Sequence, residues 1–160
     1  MILDSDVIID FLKNDKKVVD KISEIKEVEE LKTTSINVFE ILIGFFSLNK
    51  KESKVIDFIN NLTILNFDFE ASYKSAEIFD ELRKNGDLVD SLDLFISSIA
   101  VSNNEKLFTK NTKHFKRIPG LEIITAWNRS KMVRYESSAG CVIFCRKEND
   151  ILFLLVKSTY

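Results

Sequence analysis

Through residue 127, short apolar segments alternate with longer stretches of helical periodicity, and this alternation constrains the fold more than any other feature of the chain. "MIL", "KTTSI", "TILNF", "KLFTK" and "LEIITAW" have the length and side-chain type of strands. Between them, "VIIDFL", "KVVDKISEIKEVEEL" with Val18, Ile22 and Ile25 on one face, "NVFEILIGFFSL" and "KESKVIDFINNL" read as helices. "EASYKSAEIFDELRKNG" is an amphipathic helix closed by Gly86, "DLVDSLDLFISSIAVSNN" is the next helix, and "NTKHFKRI" is a loop or short helix. Strands separated by helices dictate an α/β fold with a mainly parallel sheet covered on both faces. In such sheets the reactive crevice lies at the carboxyl ends of the strands, which places "LDSD" and "FTKN" there.

Composition agrees with a packed, helix-rich chain. Hydrophobic residues make up 45% and charged residues 30% of the 160, and thirteen Phe stand against one Pro and four Gly. The net charge of -2 exerts no global pull on nucleic acid, so such a partner has to be met by a local patch. The longest apolar run, Ile151 to Val156, is far below the roughly 18 to 20 residues of a bilayer span, and the N-terminus lacks the basic and apolar regions of a secretory signal. A cytoplasmic protein with no membrane association is expected. Cys141 and Cys145, with a single His in the chain, give little support for a zinc site and read as small buried hydrophobes.

After Trp127 the texture changes. Residues 128–138 are polar and without clear period, a linker by composition. Residues 139–160 hold "AGCVIFCR" and "ILFLLVKS" around the polar turn "KEND", the pattern of a β-hairpin. An isolated hairpin is marginal in water, so this tail has to pack on the main domain or on further chain.

Carboxylates recur where apolar neighbours make them costly, since burying an unpaired one costs several kcal/mol. Asp4 ends the first strand, with Asp6 two residues on; helix capping and ligation of a cation are both open to them, and Asp10 reads as a solvent-facing or supporting group. Glu40 lies in a strongly apolar helix on the stripe Asn37, Glu40, Gly44, Ser47, and Gly44 there suggests the close approach of another group. Asp90 suits an N-cap and Asp93 the first turn after it, so of the two Asp93 is the better catalytic candidate. Acids converging on one crevice raise each other's pKa unless a cation joins them, and an oxygen-only set selects Mg2+ or Mn2+. Such a cation activates water and stabilises a phosphoryl oxygen, which makes phosphodiester hydrolysis the reaction class. Lys110, Lys113, His114, Lys116 and Arg117 follow the fourth strand, either as a solvated loop or as contacts to a nucleic-acid backbone.

"MILDSDVIIDFL", "NVFEILIG", "RKNGDLVDSLDLFISSIA" and "LFTKNTKHFKRIPGLEII", in this order over residues 1–127, resemble the PIN-domain ribonucleases, in particular the VapC toxins of type II toxin–antitoxin modules. The resemblance implies an α/β/α sandwich, a Mg2+- or Mn2+-dependent endoribonuclease, frequent homodimers, an RNA substrate and a cognate antitoxin that blocks the site. Carried over by position, it makes Asp4, Glu40 and Asp93 catalytic metal ligands with Asn111 as the fourth. Asp6 stands where Asn is usual and, with Asp90, is a supporting residue. Asn111 is neutral, and His114 stands where a carboxylate is common. A catalytically silent module that binds RNA or protein is the competing expectation. The tail "YESSAGCVIFCRKENDILFLLVKSTY" resembles the first two strands of a Nudix hydrolase without its glutamate-rich metal motif, so a PIN–Nudix fusion lacking its nucleotide-hydrolase part is a further one.

Overall fold

The computed structural model of the chain describes residues 1–47, 53–87, 89–126, 134–137, 140–147 and 150–155. It divides into two compact units, Met1–Ala126 and Trp127–Tyr160. The first contains β1 (Ile2–Leu3), α1 (Ser5–Leu12), α2 (Lys16–Lys26), β2 (Lys32–Thr34), α3 (Ser35–Ser47) and α4 (Ser53–Ile59). It continues with β3 (Thr63–Leu65), α5 (Phe69–Asn85), α6 (Ser91–Ser102), β4 (Leu107–Phe108), α7 (Thr112–Phe115) and β5 (Ile123–Ile124).

The five strands form one parallel sheet in the order β3-β2-β1-β4-β5, with helices on its faces in an α/β/α sandwich. Strand order reverses at β1 and β4, so the crevice outside their carboxyl ends is the switch point at which such sheets carry their sites. Every strand is short, and β1 is held on both sides, Ile2 pairing with Lys32 and with Leu107. Ile2, Leu107, Ile96, Ala100 and Phe115 form a buried cluster that joins the sheet to α6 and α7. A second cluster, Ile78, Leu82, Leu94 and Ile118, seals α5 against α6.

Local chemistry explains where the elements begin and end. Four helices open on an aspartate: Asp4, Asp15, Asp68 and Asp90 each accept a backbone N–H of the first turn. That is why α6 starts at Ser91 rather than at Asp87: Asp90 is extended at φ −61°, ψ 147° and takes the N–H of Leu92. Likewise Ser35 and Ile36, expected to finish the second strand, open α3. Gly86 ends α5 in the left-handed region at φ 74°, which costs a glycine little.

The expectation for Gly44 fails. Among the described residues no close approach explains it, because a Cβ there would meet no heavy atom within 4 Å beyond the backbone of its own helix and its chain neighbours. Gly44 lies on the outer side of α3 beside exposed Phe39, Ile43 and Phe46, where the helix faces solvent rather than a neighbour. The expected hairpin of the tail forms, and a third strand joins it. β6 (Arg134–Ser137) forms inside the stretch read as a linker and pairs with β7 (Gly140–Lys147), which pairs with β8 (Asp150–Leu155), giving a three-stranded antiparallel sheet. The partner strand supplies the order that the polar sequence of β6 does not announce by period. Cys141 and Cys145 both fall in β7, and their side chains lie outside what is described. Among the described residues no helix is long and apolar enough to cross a membrane.

Candidate active site

β1 delivers Asp4 to the switch point. Its backbone N–H donates to the Phe108 carbonyl at 3.0 Å, extending the β1–β4 ladder by one rung, and α1 starts at the next residue. The side chain is only 5% exposed yet fully engaged. Oδ1 accepts from the Ser5 N–H and from Asn37 Nδ2, both at 2.8 Å, and Oδ2 accepts from Thr109 Oγ1 at 2.6 Å. Asn37 is itself fixed, for its Oδ1 accepts the Thr34 hydroxyl at 2.6 Å and its N–H donates to Thr34 Oγ1 at 3.1 Å. Three elements meeting at the sheet edge, β1, α3 and the end of β4, thus hold one carboxylate in one orientation.

All these donors are neutral, and the electrostatics follow from that. Burial pushes the Asp4 carboxyl up to about 6; the bonds from Thr109 and Ser5 pull the other way, and the charges of Glu40 and Asp93 add to the rise. Burial likewise raises half-buried Glu40, with the Asp93 and Asp90 charges adding to it and polar contacts from Ser5 and Asn37 opposing it. Asp6 is driven to about 7, first by burial and next by the charge of Asp4, against the Lys110 N–H at 3.1 Å. No cationic side chain among the described residues figures in the leading influences on Asp4 or Glu40. Among the described residues, Glu40 Oε2 and Asp6 Oδ1 are the buried side-chain oxygens without a hydrogen-bond partner.

Asp93 sits in the first turn of α6 and accepts from His114 Nδ1 at 3.0 Å. Asp90 caps the same helix through Leu92 N–H at 2.9 Å. Asn111 precedes α7 with no cap bond from its side chain, and its N–H donates to Thr109 Oγ1 at 3.0 Å. The fold therefore brings Asp4, Glu40 and Asp93 within electrostatic reach of one another, and a hydroxyl shared with Asp4 ties Asn111 to them.

The donor set fits a hard divalent ion in kind: carboxylate oxygens, one of them buried and unpartnered, and no sulfur. As they stand, no three His, Cys, Asp or Glu side chains among the described residues close around a single ion position. The residues match such an ion in charge and type, and closing on it needs side-chain rotation.

The basic loop is divided. Lys110 forms an ion pair with Asp10, and Arg117 lies 3.8 Å from Asp87. Lys113 and Lys116 are exposed on the same short helix and its C-cap, and neither is in an ion pair with a described residue. Thr109 has no place among the residues singled out from sequence. Its signal was a small polar residue directly after a strand that ends at the crevice, one position from the tract "KN".

The PIN domain family matches residues 1–121. The chain is 31% identical over 127 residues to Ribonuclease VapC1 of Methanocaldococcus jannaschii, covering 77% of this chain and 85% of that protein. It is 35% identical over 99 residues to Ribonuclease VapC2 of Rickettsia felis, covering 60% of this chain and 73% of that one. Among solved structures, VapBC2 from Rickettsia felis bound to a DNA fragment from their promoter superposes with a TM-score of 0.73 at 27% identity, over 78% of this chain and 96% of that one. The family match ends before the tail, so the likeness of residues 135–160 to a Nudix domain finds no support in it. Sequence family, strand order and the acidic switch point agree: the chain belongs to the PIN-domain family, in its VapC ribonuclease branch.

Proposed function

We propose that this protein is a divalent-metal-dependent endoribonuclease acting as the toxin of a toxin–antitoxin pair, with Asp4, Glu40 and Asp93 as catalytic ligands and Asn111 as a fourth. One observation carries the reading. A buried carboxylate is locked by neutral donors next to two more acids, with an unpartnered Glu40 oxygen, at the switch point of a parallel sheet. That arrangement costs stability unless a cation joins it. When bound, Mg2+ or Mn2+ supplies a water of lowered pKa and stabilises charge on a phosphoryl oxygen. The chain's own part is to hold the acids. Thr109 and Asn37 keep Asp4 from rotating, α6 presents Asp93 from its first turn, and Asn111 offers a carboxamide oxygen. Asp6 and Asp90 serve as supports, the first under the Lys110 amide and the second as the α6 cap.

RNA is the substrate proposed from membership in the VapC branch, and an antitoxin is the partner proposed from the VapBC2 neighbour. The homodimer and the cytoplasmic setting extend the same family reading. The decisive experiment is cleavage of a labelled RNA mixture by the purified full chain. Cleavage with Mg2+ or Mn2+, lost in EDTA and regained on adding the ion back, is expected; EDTA-resistant cleavage defeats the metal assignment.

Lys113 and Lys116 are the side chains proposed to touch RNA phosphates. Replacing both with Ala is expected to flatten the slope of log affinity against log salt by about 1.4, since each phosphate contact on a single strand is worth ~0.7. An unchanged slope removes them from the interface.

One observation favours a second reading, a silent binding module: no three acids close around one ion position among the described residues. RNA binding without cleavage under any divalent ion is its distinguishing result.

A further inference from the structure

Resting on the metal-dependent reading above, we infer that His114 is a positioning residue for Asp93: its Nδ1–H holds the carboxylate by Oδ2 and leaves Oδ1 to turn toward the ion.

The argument starts from the freedom of Asp93. Its proposed partner in ligation, Asp4, is fixed by donors from three elements, whereas Asp93 projects from the first turn of α6 with, among the described residues, one side-chain hydrogen bond, to His114 Nδ1 at 3.0 Å. A carboxylate on two rotatable bonds pays an ordering cost whenever it ligates, and a donor that fixes one oxygen removes part of that cost beforehand.

His114 is equipped for this task by its neighbour in sequence. Phe115 is 1% exposed and belongs to the core cluster with Ile96 and Ala100 of α6. Docking Phe115 therefore fixes α7 against the helix that carries Asp93, and residue 114 is presented to the carboxylate as a consequence. The backbone closes the same unit: His114 N–H donates to the Asn111 carbonyl at 3.1 Å, and Asn111 N–H to Thr109 Oγ1 at 3.0 Å. Thr109 in turn bonds Asp4. One short helix is thus connected to two of the proposed ligands, to Asp4 through Thr109 and to Asp93 through the imidazole.

A carboxylate acceptor at Nδ1 also fixes the tautomer, with the proton on Nδ1 and the lone pair on Nε2. His114 is the chain's single histidine, so its imidazole gives one resolvable set of signals.

The test uses the full chain with His114→Ala, His114→Asn and His114→Gln. An Asn amide nitrogen can stand in for Nδ1–H, and a Gln nitrogen reaches the position of Nε2. Mn2+ binding is measured by calorimetry at pH 8. His114→Ala is expected to weaken it by roughly tenfold to a hundredfold, the usual effect of removing a partner behind a ligand; His114→Asn restores it to within about threefold, and His114→Gln behaves as Ala. The 15N spectrum of the wild-type imidazole at pH 8 is expected to show Nδ1 protonated and Nε2 bare. Wild-type Mn2+ affinity in His114→Ala overturns the inference, and so does an Nε2–H tautomer. Loss of RNA affinity without change in Mn2+ affinity makes the residue a substrate contact and overturns it as well. If the wild type binds no Mn2+, the metal reading itself falls and takes this inference with it, an outcome distinct from the others.

Discussion

Asp4→Asn is expected to abolish RNA cleavage and at the same time stabilise the metal-free protein. The two effects have one origin. Stabilisation of transition-state charge by a bound ion is worth several kcal/mol, and each ~1.4 kcal/mol is tenfold in rate, so losing this ligand is expected to cut the rate by about a thousandfold or more. The fold tolerates the change because the amide oxygen keeps the bonds from Ser5 N–H and Asn37 Nδ2, and Thr109 Oγ1 can accept from the new amide nitrogen. What disappears is a buried charge surrounded by neutral donors. The rise from 3.8 to about 6 corresponds to ~3 kcal/mol against the ionised form. Urea unfolding in EDTA at pH 7.5 is therefore expected to show the variant more stable by about 1–3 kcal/mol, with circular dichroism unchanged. A variant that still cleaves RNA would remove Asp4 from the mechanism; one that is less stable would contradict the electrostatic account.

The metal-free protein is expected to lose stability between pH 5 and pH 7.5, and a divalent ion is expected to restore it. Asp4 and Asp6 have folded pKa values of about 6 and about 7, above the 3.8 of the unfolded chain. The folded state then holds more protons through this window, so stability falls as pH rises and levels off above the folded values. Asp4 alone contributes about 1–2 kcal/mol of that fall. Glu105 acts in the opposite sense: burial raises its carboxyl, but the bonds and charges of Lys32 and the N-terminal ammonium together outweigh that and hold it below its ordinary value, so its stabilisation is present above that value and lost only in more acid solution. The window above pH 5 therefore isolates the acidic site. Mn2+ at about a hundred times its dissociation constant adds ~2.7 kcal/mol at pH 7.5 and less at pH 5, where protons compete for the ligands. Thermal melts across this range with EDTA or with Mn2+ measure both; a flat profile in EDTA would show that the acids are not strained.

Much of the architecture was legible because it rests on short-range pattern. All five strands of the first unit announce themselves as brief apolar runs, and the acids stand out by the cost of their surroundings. Element ends were less legible: Asp90 was readable as a cap, but Ser35 opens α3 through a backbone choice that propensity does not settle. Thr109 lay within "FTKN" at the crevice but was not singled out, for a different reason. A threonine after a strand carries no charge to explain, and its importance comes from a carboxylate 105 residues away in sequence. The same distance effect divides the basic loop, where Lys110 is drawn to Asp10 across 100 residues. Gly44 misled because a missing side chain can mark either close packing or an open surface, and only coordinates distinguish them. β6 was missed because pairing with β7 supplied what its own polar residues did not.

The two-residue β1 has a consequence for how such a protein can be controlled. It is the middle strand of its sheet, and its amide ladder passes directly into the backbone of Asp4. Displacing that carboxylate by bending the scaffold would mean opening the centre of the sheet, at a cost near that of unfolding the domain. A molecule so constructed is poorly suited to being tuned by distortion and well suited to being covered. Under the function proposed above, its control is expected to be a matter of access, exerted by something that occupies the mouth of the crevice.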